Sequence, residues 1–399
     1  MLHDHFFFIK WSLRSMARLK CFPLVWDPVS GGIAVLQKRA QIILIRGIEV
    51  LQLVYFGAMV CTIISQAKVG CTLILLPSIR MLLATLLVYL WGMGVGLAKK
   101  AAVLLNTTIK FEQWLQDTFK TMDILTSKGD VRSRRNKFMR KVLIFANTMC
   151  PIIALTRIRR IYANCCSPPY LGFAFGYCTG CGMLVTEGIY LSPAWKLIKI
   201  LVMFADGYHI AVKVFKSFFL LFNVTLLANG CVLDYLDLLE RMTKTSVSSA
   251  FGRRIGLTTR IKLYRCLQVL EKEQNRFGSE RVVPAILVVA PIVQIFCTFV
   301  LIKLARSLTS EGYITYPFII SVCVVACMLF ETFAAQLGIK SKKLSGDWLM
   351  EKNISKINRR VIKSFQPIRI KVGSNFIDRG TALVTQDFCI TQTVSLLLM

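Results

Sequence analysis

Polar side chains crowd the last apolar run of this 399-residue chain. Between Gly380 and Met399 stand Thr385, Gln386, Asp387, Thr391, Gln392, Thr393 and Ser395, in a stretch about as long as a helix needs to cross a bilayer. A helix surrounded by lipid alone has no use for so many hydroxyls and amides, because each is costly away from water. At helical spacing Thr381, Thr385, Phe388, Gln392 and Ser395 share one face, and that face is expected to line water. Asp387 is the sole acid of the run and lies off that face. Repeated by symmetry it would form a ring favouring cations; within one chain it would hydrogen-bond a neighbouring helix instead.

Two other groups of residues carry potential chemistry. Asp206-Gly-Tyr-His209 opens a very apolar segment and is read either as a ligand-contact region or as an interfacial anchor. Cys165, Cys166, Cys178 and Cys181 share one long connection. They are read as disulfides in an oxidising exterior, as buried free thiols, or as a metal-binding set; the Cys-x-x-Cys element is a common ligand pair. Enzyme signatures are missing: there is no Gly-rich phosphate loop and no His-x-x-x-His pair, and two of the three histidines, His3 and His5, lie in the N-terminal tail. No cofactor or metal is expected.

These residues need a frame, and hydropathy supplies it. The chain is 55% hydrophobic with a mean hydropathy of +0.58, and its apolar runs are separated by charged loops. An all-α polytopic membrane protein is expected, a single domain over 1–399 with a tail at 1–47. Its spans are placed at about 48–66, 72–98, 141–156, 204–230, 283–305, 315–336 and 380–398. The Gly-rich run 171–185 is the alternative third span; the cysteines would then be packing residues. Lys and Arg resist translocation, and 39 of the 50 fall in 1–47, 99–141, 241–281 and 340–379, segments that share one side. The N-terminus is therefore expected in the cytosol and the C-terminus outside. The apolar patch at Phe6 is too short for a signal-peptide core. The formal charge of +29 reads as a cytosolic skirt against anionic lipid headgroups, with no nucleic-acid partner.

Local patterns add detail. Phe6, Phe7, Phe8, Trp11 and Trp26 mixed with Lys10, Arg14, Arg18 and Lys20 suit a segment on the inner membrane surface or a plain tail. Arg80 in the second span is expected to snorkel. Apolar stripes at Phe111, Trp114, Leu115, Phe119 and Met122, at Leu233, Leu236, Leu239 and Met242, and at Leu263, Cys266, Leu267 and Leu270 predict amphipathic cytosolic extensions that pack on one another or across subunits. Pro284 and Pro291 should kink the fifth span. The sequons at Asn106, Asn223 and Asn353 fall in expected cytosol or membrane, so none should carry a glycan. Depth and chemistry single out Tyr89, Trp91, Tyr208, His209, Phe296 and Phe299 as candidate ligand contacts.

The segment Pro-Ile-Arg-Ile-Lys-Val-Gly at 367–373, followed by Phe376 and the closing run, resembles the end of the arthropod gustatory receptor family, within the larger gustatory and odorant receptor superfamily. In that family a basic, Pro-containing segment, a Gly and an aromatic precede a last helix ending in Thr-Tyr, five apolar residues and Gln-Phe. Thr391 matches the Thr, while Gln392, Leu398 and Met399 stand where Tyr and Gln-Phe are usual. The resemblance implies a ligand-gated, non-selective cation channel in the cell membrane. It further implies a homo- or hetero-tetramer around its last helices, small-molecule tastants or odorants bound among spans two to six, and a central anchor built from cytosolic extensions. A secondary transporter of a small solute is the competing class; it would be expected to show internal repeats, and none is found.

Overall fold

The computed structural model describes residues 2–69, 95–120, 130–163, 193–248, 256–305, 310–351 and 354–399, with positions 79 and 83. The protein is an all-α, polytopic membrane protein carrying two small β-hairpins. In order it has α1 (Phe6–Arg18), β1 (Leu24–Asp27), β2 (Gly32–Val35), α2 (Arg39–Val69), α3 (Val95–Lys120), α4 (Asp130–Ala163) and α5 (Pro193–Phe218). A π-helical stretch, Phe219–Leu226, carries α5 without interruption into α6 (Leu227–Ser248). Then come α7 (Leu257–Gly278), α8 (Ala290–Lys303), α9 (Ser310–Leu349), α10 (Lys356–Lys363), β3 (Lys371–Val372), β4 (Asn375–Phe376) and α11 (Thr381–Leu398). Five helical segments among the described residues are long and apolar enough to cross a bilayer: Arg39–Ser65, Arg134–Thr156, Ile200–Lys244, Val282–Lys303 and Tyr316–Leu349. The second expected span and the Gly-rich alternative to the third lie almost wholly outside the described residues, as does Arg80.

Prolines shape α8 through the amide protons they lack. Pro284 ends a short turn, a π-helical stretch runs Ala285–Val289, and Pro291 sits in the first turn of α8. A missing N–H is harmless in a first turn and shifts the ladder elsewhere.

The apolar stripes meet inside one chain. Leu233, Leu236, Leu239 and Met242 of α6 are buried, as are Leu263, Leu267 and Leu270 of α7 and Phe111 and Leu115 of α3. α3 packs along α7, and α6 along α9. The acids opposite the α6 stripe are neutralised from neighbouring helices: Arg135 reaches Asp234 at 3.0 Å and Asp237 at 2.5 Å, Lys340 also binds Asp237, and Lys343 lies 3.3 Å from Glu240.

The N-terminal residues are not a plain tail. Leu2, Ile9, Leu13 and Met16 are buried in the same core as α3, α4 and α6, because they recur on one helical face and find an apolar cleft. The Leu2 amide donates to Glu112 at 2.7 Å, Ser12 to Asn147 at 2.8 Å, and Lys10 lies 4.4 Å over the Trp26 ring. Asn106 docks the β1–β2 hairpin by pairing with Ile33 like a strand, donating to its carbonyl and accepting from its amide at 2.8 Å each.

Burial holds the His5 imidazole below its ordinary value of 6.5, although the neighbouring Asp4 pulls it upward. A depressed folded value means that docking favours neutral His5, so this contribution is complete above about pH 6.5 and lost as pH falls through the folded value. Proteolytic cleavage within residues 2–18 should therefore accelerate from about pH 7.5 to about pH 5.5, and His5→Gln should flatten that dependence.

Candidate pore helix and buried polar contacts

The Pro-broken basic segment ahead of α11 is a strap. Asn275 of α7 donates to the Arg369 carbonyl and accepts from the Lys371 amide, both at 2.9 Å, as a strand partner would. The Gln366 carbonyl accepts from Gln268 at 3.0 Å and from the Tyr264 hydroxyl at 3.1 Å, while the Ile368 amide donates to Ser341 at 3.0 Å. The Tyr264 phenol, held among these groups, is pushed by burial up to about 12. Pro367 has no amide to satisfy, and Gly373 adopts φ +58, which lets the chain reverse between β3 and β4. Arg369 lies 5.2 Å over the Phe376 ring. Residues that look like a linker in sequence thus fix where α11 starts.

α11 packs one face on α8 and α9 and leaves the rest open. Ala382, Cys389 and Thr393 are buried; Phe388, Gln392 and Ser395 are exposed; Thr381 and Thr385 are half-buried. The five residues expected on one face therefore divide. Gln392 and Ser395 are exposed beside Phe388, whereas the Thr381 hydroxyl accepts from the Asp378 amide at 2.9 Å, in the turn that leads into the helix. Thr385 lies at the seam with α9, its hydroxyl 3.0 Å from a carboxylate oxygen of Glu331. One residue on, Gln386 accepts from Gln294 of α8 at 2.9 Å. Asp387 is exposed and has no bonding partner among the described residues. Glu331 and Gln294 escaped the sequence reading, yet a signal was available: each is a polar residue inside a strongly apolar run.

The candidate ligand contacts do not converge among the described residues. Tyr89 and Trp91 lie outside them, as do Cys165, Cys166, Cys178 and Cys181. Phe296 and Phe299 pack with Tyr316, Ile319 and Ile320 between α8 and α9. Tyr208 belongs to another cluster, donating its hydroxyl to the Leu19 carbonyl at 2.5 Å. His209 is buried against α2, its ring stacked on Tyr55 at 3.8 Å between centroids. Helix α5 begins at Pro193, eleven residues ahead of the expected span, so Asp206 lies about 20 Å along the helix.

Asp206 and His209 belong to a longer polar seam. Asp206, His209, Lys213 and Lys216 follow one face of α5 and are all buried; facing them on α2 are Glu49, Gln52 and Tyr55. The Tyr55 hydroxyl donates to Asp206, and Lys216 pairs with Glu49 at 3.4 Å and lies 5.4 Å over the Phe22 ring. Outside this seam α2 shows mostly exposed apolar side chains, such as Ile43, Val50, Val54 and Ile64. Polar contacts therefore hold the first long helix on the bundle. No metal-binding group of three or more His, Cys, Asp or Glu occurs among the described residues.

No family model matches the sequence, and no curated protein does. Solved structures do match. The insect olfactory receptor OR5 from Machilis hrabei superposes with a TM-score of 0.56 at 11% identity, covering 98% of this chain and 96% of the receptor. The same receptor in complex with eugenol gives a TM-score of 0.56 at 11% identity, covering 99% of each chain. This chain has the insect olfactory receptor fold. The likeness extends over nearly the full length of both proteins.

Proposed function

We propose that this protein is a chemosensory receptor of the cell membrane that opens as a ligand-gated, non-selective cation channel, with copies of α11 from a tetramer lining the pore. The observation that carries the reading is the open side of α11. A closing helix that presents Gln392 and Ser395 outward, in a chain with the olfactory-receptor fold, has a use for those groups where they meet water. The apolar residues on its free side, Leu383, Val384, Ile390 and Val394, suit contacts with neighbouring copies and lipid. Small molecules of the tastant or odorant kind are the proposed ligands, and a taste-type role fits the resemblance of the strap. The olfactory receptor of the same fold has been captured with eugenol, a small aromatic odorant, which makes eugenol a sensible first probe.

Expression of the chain alone, with sugars, bitter compounds and volatiles including eugenol applied in turn, is expected to give ligand-evoked, non-selective cation current. Saturable flux without channel current would assign the chain to secondary transport instead. If Asp387 forms a cation-attracting ring, Asp387→Asn will shift the reversal potential under asymmetric salt toward anion permeability; an unchanged potential rejects the ring and keeps the channel.

A further inference from the structure

A hydroxyl with one proton and two acceptors marks the junction of α9 and α11. Thr385 Oγ1 lies 2.9 Å from the Thr381 carbonyl of its own helix and 3.0 Å from Glu331 Oε1. A threonine hydroxyl donates once. A carboxylate at Glu331 would have to share that single proton with the carbonyl in a bifurcated bond, whereas Glu331 as a carboxylic acid can donate to Thr385 while Thr385 donates in full to the carbonyl. The rest of the site agrees. Glu331 is fully buried, and among the described residues its second oxygen has no partner and no lysine, arginine or histidine acts on it. The titratable groups facing it are two thiols, Cys327 on its own helix and Cys389 on α11. From α8 comes the neutral Gln294, bonded to Gln386, and among the described residues no charged side chain of α6 or of the π-helical stretch acts on Glu331. A carboxylate placed there would face two thiols and one hydroxyl without a counter-charge, an expensive arrangement at membrane depth.

We propose that Glu331 is a proton-binding site that latches the closing helix. With the proton bound, Glu331 donates to Thr385, and the bonds at Thr385 and Gln386 pin one turn of α11 against α9 and α8. When the proton leaves, no positive partner replaces it, and the carboxylate is relieved only by reaching water as α11 moves off α9. Elsewhere the packed face of α11 offers Ala382, Cys389 and Thr393, the last with its hydroxyl satisfied by its own helix at 2.7 Å, and the far end of the helix is held by Lys303 of α8 donating to the Leu397 carbonyl at 3.2 Å. Proton binding and helix docking are thereby one equilibrium, and one proton per subunit changes it at most about tenfold per pH unit. The consequence for conduction rests on the reading of α11 as pore lining; the proton site does not.

Full-length protein in lipid nanodiscs tests this in two ways. The pH-difference infrared spectrum should contain a carboxylic-acid carbonyl band that disappears in Glu331→Gln and shifts in Thr385→Val, which keeps the acid and removes its acceptor. Amide hydrogen exchange, corrected for intrinsic rates, should show protection of 381–398 falling with rising pH in the wild type, by up to about tenfold per unit, and staying level in Glu331→Gln. An acid band unchanged in both variants, or equal pH dependence of protection in wild type and Glu331→Gln, overturns the proposal. A protein that passes both tests yet conducts no current would refute the channel and leave the latch standing.

Discussion

Arg260→Ala is expected to cost about 3–5 kcal/mol, a large share of the marginal stability of a folded chain. Arg260 is 3% exposed and its guanidinium forks onto Glu351, with Nη1 2.5 Å and Nη2 2.9 Å from its two oxygens. It also donates to Thr243 at 3.2 Å, and Thr243 accepts from the indole of the fully buried Trp348 at 2.8 Å. Three helices, α6, α7 and α9, are joined in this knot, and the Trp348 ring meets Tyr264, which holds the strap. Truncation leaves the largely buried Glu351 and the Thr243–Trp348 contact without their shared partner, which is why the expected loss exceeds the net worth of an exposed pair. The midpoint of thermal aggregation in detergent should drop sharply for Arg260→Ala, and Arg260→Met with Glu351→Leu should regain most of it. A double variant no better than the single one would show that the contact with Thr243 and Trp348, rather than the ion pair, carries the stability.

Glu49→Ala should be of similar size, about 3–5 kcal/mol, because it strands the Lys216 ammonium at 1% exposure. The difference from the Arg260 case lies in what fails. Helix α2 is held to α5 largely through the polar seam, so losing Glu49 should loosen the first long helix while the bundle beneath persists. Surface labelling of a cysteine introduced on α2 at a bundle-facing position, such as Met59→Cys, should rise in the Glu49→Ala background. In Glu49→Leu with Lys216→Met it should return to the level of the Glu49 parent, since a well-packed apolar pair replaces a buried ionic one at little cost. Labelling equal in all three backgrounds would mean that Tyr55 and Asp206 suffice to hold α2.

Much of this architecture is written in periodicity. The stripes at Leu233 and Leu263, the apolar run 141–156 and the helical closing stretch could be read directly, since side chains three and four apart must share a helical face. Polar residues of α11 were equally legible as a departure from what lipid requires. Periodicity names the face of a helix and not its neighbour. It could not say that Thr385 turns toward Glu331, 54 residues earlier in the chain, or that Asn275 stands in for a missing strand beside Lys371. The N-terminal segment shows the limit well: its basic and aromatic composition suits a membrane surface, yet Leu2, Ile9, Leu13 and Met16 found an apolar cleft made by helices far along the chain. What the sequence determined alone was the kind of protein, its helices and the oddity of its last one, because hydropathy and helical spacing are local properties. Only the tertiary structure decided which polar side chains meet, because hydrogen bonds of about 3 Å depend on how separate helices are brought together.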